Sequence, residues 1–209
     1  MKVSYIWITG TSAAGKTFVI SELEKHIPNN DLYSDAKEIL YLNELDRKHG
    51  HHIHPDNGEG FLLIDSTHFD KAVKNICKKL IKGRSKKLAF IELARGIGDN
   101  KKIDVSYIKL IDLIPRKVLE ESCFIYIKSN WKQRLSRNLN RNKSNYLANR
   151  SFYVPDTAMK AFFRTDDFPK LQKLLPCPVF VLENNNVSAN GFAKKVSKLF
   201  KVIENEYLL

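Results

Sequence analysis

The chain has 209 residues, 43% of them hydrophobic and 28% charged, with 35 Lys and Arg against 23 Asp and Glu and a formal net charge of +12. That is enough apolar sequence for one domain with a sizeable core, while no apolar run approaches the length of a membrane span, and Cys77, Cys123 and Cys177 are too far apart to read as a zinc site or a disulfide frame. A soluble cytoplasmic protein with no membrane partner is expected, and its positive excess points to an anionic substrate, an anionic surface or nucleic acid.

Residues 3–8, VSYIWI, are short, β-branched and aromatic, and predict a buried strand of a parallel sheet. The run leads straight into the next motif, so it reads as a core strand and not as a signal peptide. That motif, GTSAAGKT at 10–17, has the Gly-x-x-x-x-Gly-Lys-Thr spacing of a phosphate-binding loop. Behind it Phe18, Val19, Leu23 and Ile27 fall roughly on one helical face, and Pro28 stops the run. The rival reading is an ordinary tight turn. Strand, Gly-rich turn and helix is the context a phosphate loop needs, because glycines let backbone N–H groups converge on an anion and the helix N-terminus adds partial positive charge. Gly10, Thr11, Ser12, Ala13, Ala14, Gly15, Lys16 and Thr17 are therefore the predicted cradle, with Lys16 reaching the β- and γ-phosphates and the Thr17 hydroxyl a ligand for Mg2+.

DLYSD at 31–35 predicts a short second strand. Asp35 at its end is either a base for an acceptor hydroxyl or the N-cap of the helical run that follows, where Ile39, Leu40 and Leu42 lie near helical spacing. A polar loop then carries His49, His51, His52 and His54, dense enough to suggest metal, yet no regular element presents them and no cysteine accompanies them. FLLID at 61–65 predicts another short strand, with Asp65 favoured slightly as a cap, like its rivals Ser66 and Thr67. From 66 to 81 the pattern is a clear amphipathic helix, with Phe69, Ala72, Val73, Ile76, Cys77, Leu80 and Ile81 on one face and a capping-box-like start at Thr67 and Asp70.

KKLAFIEL predicts a buried strand ending in Glu92, with Arg95 three residues on. A carboxylate continuing an apolar strand beside a phosphate loop suits a group that holds Mg2+ directly or through water. Arg95 suits a phosphate or a substrate carboxylate. The alternative is a structural Glu92–Arg95 pair. Residues 104–122 read as helical with a break near Pro115, and 123–128 as a strand. In WKQRLSRNLNRN, Arg134, Arg137 and Arg141 are spaced i, i+3, i+7 and share a helical face, and no acid lies between Glu121 and Asp156. Such a face suits a polyanion, the rival being a solvated basic helix. A helix beginning at PDTAMKAFF, a strand at CPVFVLEN and a closing helix with Phe192, Val196, Leu199, Phe200 and Ile203 towards the core complete the chain. The alternation predicts an α/β fold: a three-layer α/β/α sandwich around a parallel sheet of about five strands. Ligands then sit at the carboxyl ends of the strands.

Taken together, GTSAAGKT after the first strand, Asp35 after the second, IELARG ending a central strand and the arginine-bearing segment before the last strand resemble the P-loop nucleoside and nucleotide kinases. The resemblance implies one P-loop kinase-like domain over 1–209 with an inserted helical lid at about 129–155, and ATP and Mg2+ as cofactors. It implies ATP phosphates on the loop, Arg134 and Arg137, and Mg2+ on Thr17 and Glu92. Catalytic roles fall to Lys16, Asp35, Glu92 and Arg137, and contacts with the acceptor to Asp35, Arg95 and Arg141. It also favours acceptor contact over metal for the histidines and places 183–190 near adenine. GTSAAGKT lacks the extra glycines of the monophosphate kinases, and LARG is not their usual Asp-Gly-x-Pro-Arg, so the acceptor stays open, a nucleoside or nucleoside monophosphate being expected. The rivals are an NTPase acting on nucleic acid, including a polynucleotide 5′-kinase, and a nucleotide-binding regulator without turnover. Trp131 and Tyr146 are too far apart for a base-stacking platform, which disfavours nucleic acid as the partner. The oligomeric state is open, a dimer being compatible.

Overall fold

The β-branched runs pair into a five-stranded, all-parallel sheet in a computed structural model that describes residues 2–48, 67–83, 87–100, 104–140 and 154–208. Its strands are β1 (Tyr5–Thr9), β2 (Asp31–Ser34), β3 (Ala89–Leu93), β4 (Ser122–Lys128) and β5 (Val179–Glu183), ordered β2-β3-β1-β4-β5. The helices are α1 (Lys16–Glu24), α2 (Asp35–Lys48), α3 (Thr67–Lys82), α4 (Leu110–Leu113), α5 (Arg116–Glu120), α6 (Trp131–Leu139), α7 (Asp156–Phe163), α8 (Phe168–Gln172) and α9 (Ala189–Ile203). The three-layer α/β/α architecture is as the alternation of strands and helices predicts.

Side-chain alternation along β1 divides the core in two. Ile6 and Ile8 pack with Val19, Leu23, Phe192, Val196 and Phe200 from α1 and α9. Trp7 faces the opposite layer with Val73, Ile76, Leu80 and Phe168 from α3 and α8. Trp7 stacks on Phe124 at 5.6 Å and donates its indole N–H to Ser122 Oγ at 2.8 Å, so its one polar atom is satisfied in the dry interior. Each fully buried side chain of this size contributes roughly 1.5–3 kcal/mol. The three cysteines are buried and unpaired.

Three local expectations are revised. Ile81, placed on the buried face of α3, is exposed, because the apolar stripe drifts off the interface at the last turn. Asp70 reaches Arg95 rather than acting only within its own helix end. Of the helical run expected over 104–122 with a break near Pro115, residues 104–109 are a loop, and two short helices follow on either side of the expected break. Carboxylates compete for the backbone donors there: Asp104 accepts from Ser106 N, and Asp167 accepts from Tyr107 N and Ile108 N. Pro115 then separates α4 from α5. Residues 61–65, including Asp65, the four loop histidines and Arg141 lie outside the described residues. No helix among the described residues is long and apolar enough to cross a membrane.

Candidate active site

β1 lies between β3 and β4, and the chain crosses from one side of it to the other between those two strands. The crevice at the carboxyl ends is thus set beside β1, whose last residue is Thr9. The turn from there to α1 needs unusual backbone: φ is 154° at Gly10, 62° at Ala13 and 111° at Gly15. At Gly15 the positive φ requires glycine, and a Cβ would stand 2.6 Å from Asn184 Nδ2 and push that side-chain amide aside. α1 has no acid in its first turn to offset its N-terminal positive end. Lys16 is buried and folds back over the loop, donating to Gly10 O at 3.0 Å and Thr11 O at 3.1 Å.

Three side chains hold this loop from outside. Asn184, the first residue after β5, donates to Ala14 O at 2.8 Å. Arg137 of α6 donates to Asn184 O at 2.9 Å, Asn184 Oδ1 at 3.1 Å, Ser129 Oγ at 3.0 Å and Ala14 O at 3.4 Å. The Tyr107 hydroxyl accepts from Gly10 N at 2.7 Å. α6 is in turn fixed by its N-cap, Asn130, whose side chain accepts from Gln133 N and whose backbone N–H donates to Asn185 Oδ1.

The acidic side is built by strand register. Ile8, Glu92 and Ser34 are level across β1, β3 and β2, so Glu92 and Asp35 emerge beside the phosphate loop. Thr17 Oγ1 donates to Glu92 Oε1 at 3.3 Å. Asp35 is buried, and its Oδ2 accepts from Ala94 N at 2.7 Å. Burial pushes its pKa from 3.8 up to about 6, against the pull of the Ala94 amide, Lys16 and Arg95 and with a small push from Glu92. Asp35, Glu92, Lys16 and Thr17 thus form one electrostatic cluster.

Arg134, expected at the ATP phosphates, and Arg95, expected at the acceptor, are both engaged by protein groups. Arg134 is buried and donates to Ser129 O, Phe163 O and Arg164 O at 3.1, 2.6 and 2.8 Å, with its guanidinium 5.3 Å from the Trp131 ring centroid. Though only three residues from Arg137, it ties α6 to the end of α7. Arg95 is fully buried, pairs with Asp70 at 3.0 Å and donates to Phe69 O at 2.6 Å. Its carboxylate partner is on α3, not the Glu92 considered from sequence. Asn184 lies in the stretch 183–190 that the resemblance places near adenine, and its side chain is found holding the loop; Tyr107 was not singled out from sequence. Asn184 had one signal, its place directly after a strand. Tyr107 had none, lying in a run that reads as helix.

No family model and no curated protein matches this chain. Solved structures do. A sugar kinase from Janibacter sp., unliganded, superposes with a TM-score of 0.58 at 8% identity, over 98% of this chain and 98% of that one. A gluconokinase from Sinorhizobium meliloti 1021 gives 0.56 at 10% identity, over 98% and 97%. A shikimate kinase from Acinetobacter baumannii, in complex with shikimate, gives 0.51 at 18% identity, over 98% and 95%. The chain shares the fold of these kinases. With identities this low, the likeness is one of architecture.

Within this kinase-like fold, the donors beside the loop fit Mg2+. The Thr17 hydroxyl and the Glu92 carboxylate, 3.3 Å apart, are both hard oxygens, and Mg2+ is commonly held by one or two such groups together with substrate phosphates. Among the described residues no group of three His, Cys, Asp or Glu side chains has the arrangement of an all-protein metal cage.

Proposed function

We propose that the chain is an ATP- and Mg2+-dependent phosphotransferase that moves the γ-phosphoryl group to a hydroxyl of a small acceptor, a nucleoside being the leading class. The observation that carries this reading is Asp35: a buried carboxylate with its pKa pushed up to about 6, in the same electrostatic cluster as the loop lysine. A group tuned towards neutrality beside a phosphate loop suits a general base, which typically contributes 10²–10⁴-fold. A phosphate acceptor is already ionised near neutral pH and needs no base, so the tuning of Asp35 favours an alcohol over a nucleoside monophosphate.

In this reading the loop amides from 11 to 17 bind and orient the phosphates. Lys16 exchanges its two carbonyl partners for phosphate oxygens, and its charge opposes the negative charge on the transferred group. Arg137, already at the loop through Ala14 O, supplies a second cation from α6. Asp35 accepts the proton of the attacking hydroxyl at a carboxylate oxygen, while the Ala94 amide holds the carboxyl group in place. Mg2+, held by Thr17 and Glu92, would neutralise the β- and γ-phosphate oxygens when bound. Arg134 and Arg95 act as positioning residues rather than as phosphate ligands.

The test is ATP consumption and product formation across a panel of nucleosides, sugars, small hydroxy acids and nucleoside monophosphates. Phosphorylation of an alcohol that is abolished by Lys16→Ala is expected. ATP binding with no product from any hydroxyl compound, or turnover confined to the monophosphates, overturns the hydroxyl assignment.

A further inference from the structure

The Tyr107 hydroxyl sits where two strand ends meet. It accepts from Gly10 N at 2.7 Å, at the start of the phosphate loop, and from Arg95 N at 3.4 Å, just beyond β3. A phenolic oxygen has two lone pairs, and both are used by main-chain donors. Each of these donors adjoins a working group. Gly10 carries the carbonyl on which Lys16 rests. Arg95 follows Ala94, whose amide holds Asp35.

The ring that carries this hydroxyl is itself immobilised. Tyr107 is fully buried, lies edge-on to Phe168 at 5.3 Å and to Tyr126 at 6.4 Å, and has its own amide held by Asp167 Oδ1 at 2.7 Å. Burial raises its pKa well above 10.0, so the oxygen stays a neutral hydroxyl. Nothing about packing alone requires a hydroxyl in this aromatic cluster, where phenylalanine fills the same space.

We infer that Tyr107 is a positioning residue that fixes the phosphate loop against the β3 exit and so sets nucleotide-side and base-side geometry together. The inference rests on the nucleotide-binding reading above. Without the hydroxyl, the buried Gly10 N–H loses its acceptor and the loop relaxes away from its binding geometry.

Tyr107→Phe and Tyr126→Phe separate positioning from mere stability. Each removes one hydroxyl from neighbouring rings of the same cluster, but the Tyr126 hydroxyl donates to the Asp166 carboxylate and not to a loop group. Calorimetry with a non-hydrolysable ATP analogue and Mg2+ reads the result. Tyr107→Phe is expected to weaken binding about tenfold, and Tyr126→Phe less than about twofold. Equal binding by Tyr107→Phe and the unsubstituted protein overturns the inference, as does equal weakening by the two variants. If the unsubstituted protein binds no analogue, the nucleotide reading itself fails and takes this inference with it. Should Tyr107→Phe not fold, amide exchange on the intact chain decides: slow exchange at both Gly10 and Arg95 is expected, and exchange at exposed-amide rates at either overturns it.

Discussion

Asn184 donates its side-chain amide to Ala14 O at 2.8 Å while both of its oxygens accept from Arg137, so the end of β5 clamps the phosphate loop and the α6 arginine at once. Asn184→Ala removes the clamp and leaves the Ala14 carbonyl with its weaker partner, Arg137 at 3.4 Å. We expect a five- to tenfold rise in KM for ATP and a stability loss of about 1–2 kcal/mol, measured by steady-state kinetics and urea titration. Unchanged kinetics and stability would show that the clamp does no work.

Gly15→Ala attacks the same contact from the loop side. The new Cβ would meet Asn184 Nδ2 at 2.6 Å at a φ of 111°. Strain of this kind typically reaches about 1–3 kcal/mol. Affinity for an ATP analogue should fall at least tenfold, read by calorimetry.

Asp35 links activity and stability with opposite signs. Its folded pKa, about 6, lies above its ordinary value of 3.8, so the folded state holds this proton more tightly than the unfolded state does. The carboxyl group therefore costs nothing below pH 3.8, and its destabilising effect grows as pH rises to about 6, reaching about 3 kcal/mol. Asp35→Asn keeps an oxygen for the Ala94 amide and removes the charge. It should lower kcat by 10²–10⁴-fold while raising stability at pH 7.5 relative to pH 4, by comparison with the unsubstituted protein. The acid limb of the kcat profile should fall near pH 6 and vanish in the variant. A variant with full activity sinks the assignment of Asp35 as base.

Arg134 and Arg137 sit on one helix and should behave oppositely. Arg134→Ala strips donors from Ser129 O, Phe163 O and Arg164 O, which predicts a stability loss of roughly 3 kcal/mol or more, with nucleotide affinity of the folded fraction retained. Arg137→Ala should instead lower turnover at least tenfold, with a smaller change in melting temperature. Thermal melts paired with kinetics on both variants would expose a reversal of these roles.

The strand, glycine-bearing turn and helix around GTSAAGKT were legible because their pattern is local: the segment carries its own glycines, lysine and hydroxyl in one short span, flanked by strand and helix patterns. Glu92 and Asp35 were legible for a related reason. Apolar runs that end in a carboxylate announce strand ends, and parallel sheets gather strand ends on one edge. Arg95, Arg134 and Arg137 look alike in sequence, and periodicity assigns 134 and 137 to one face, so the different protein groups each of them meets were not legible.

The sequence by itself therefore determined the α/β class, the loop and the acidic residues beside it, because periodicity and motif spacing are properties of neighbouring residues. Tertiary structure alone decided which protein groups Lys16, Arg95, Arg134 and Arg137 each rest on, and it alone brought Tyr107 and Asn184 to the loop. Those partners come from 97 and 170 residues away. A hydrogen bond is set by a few tenths of an ångström in space, and nothing in the local pattern encodes which distant donor will arrive there.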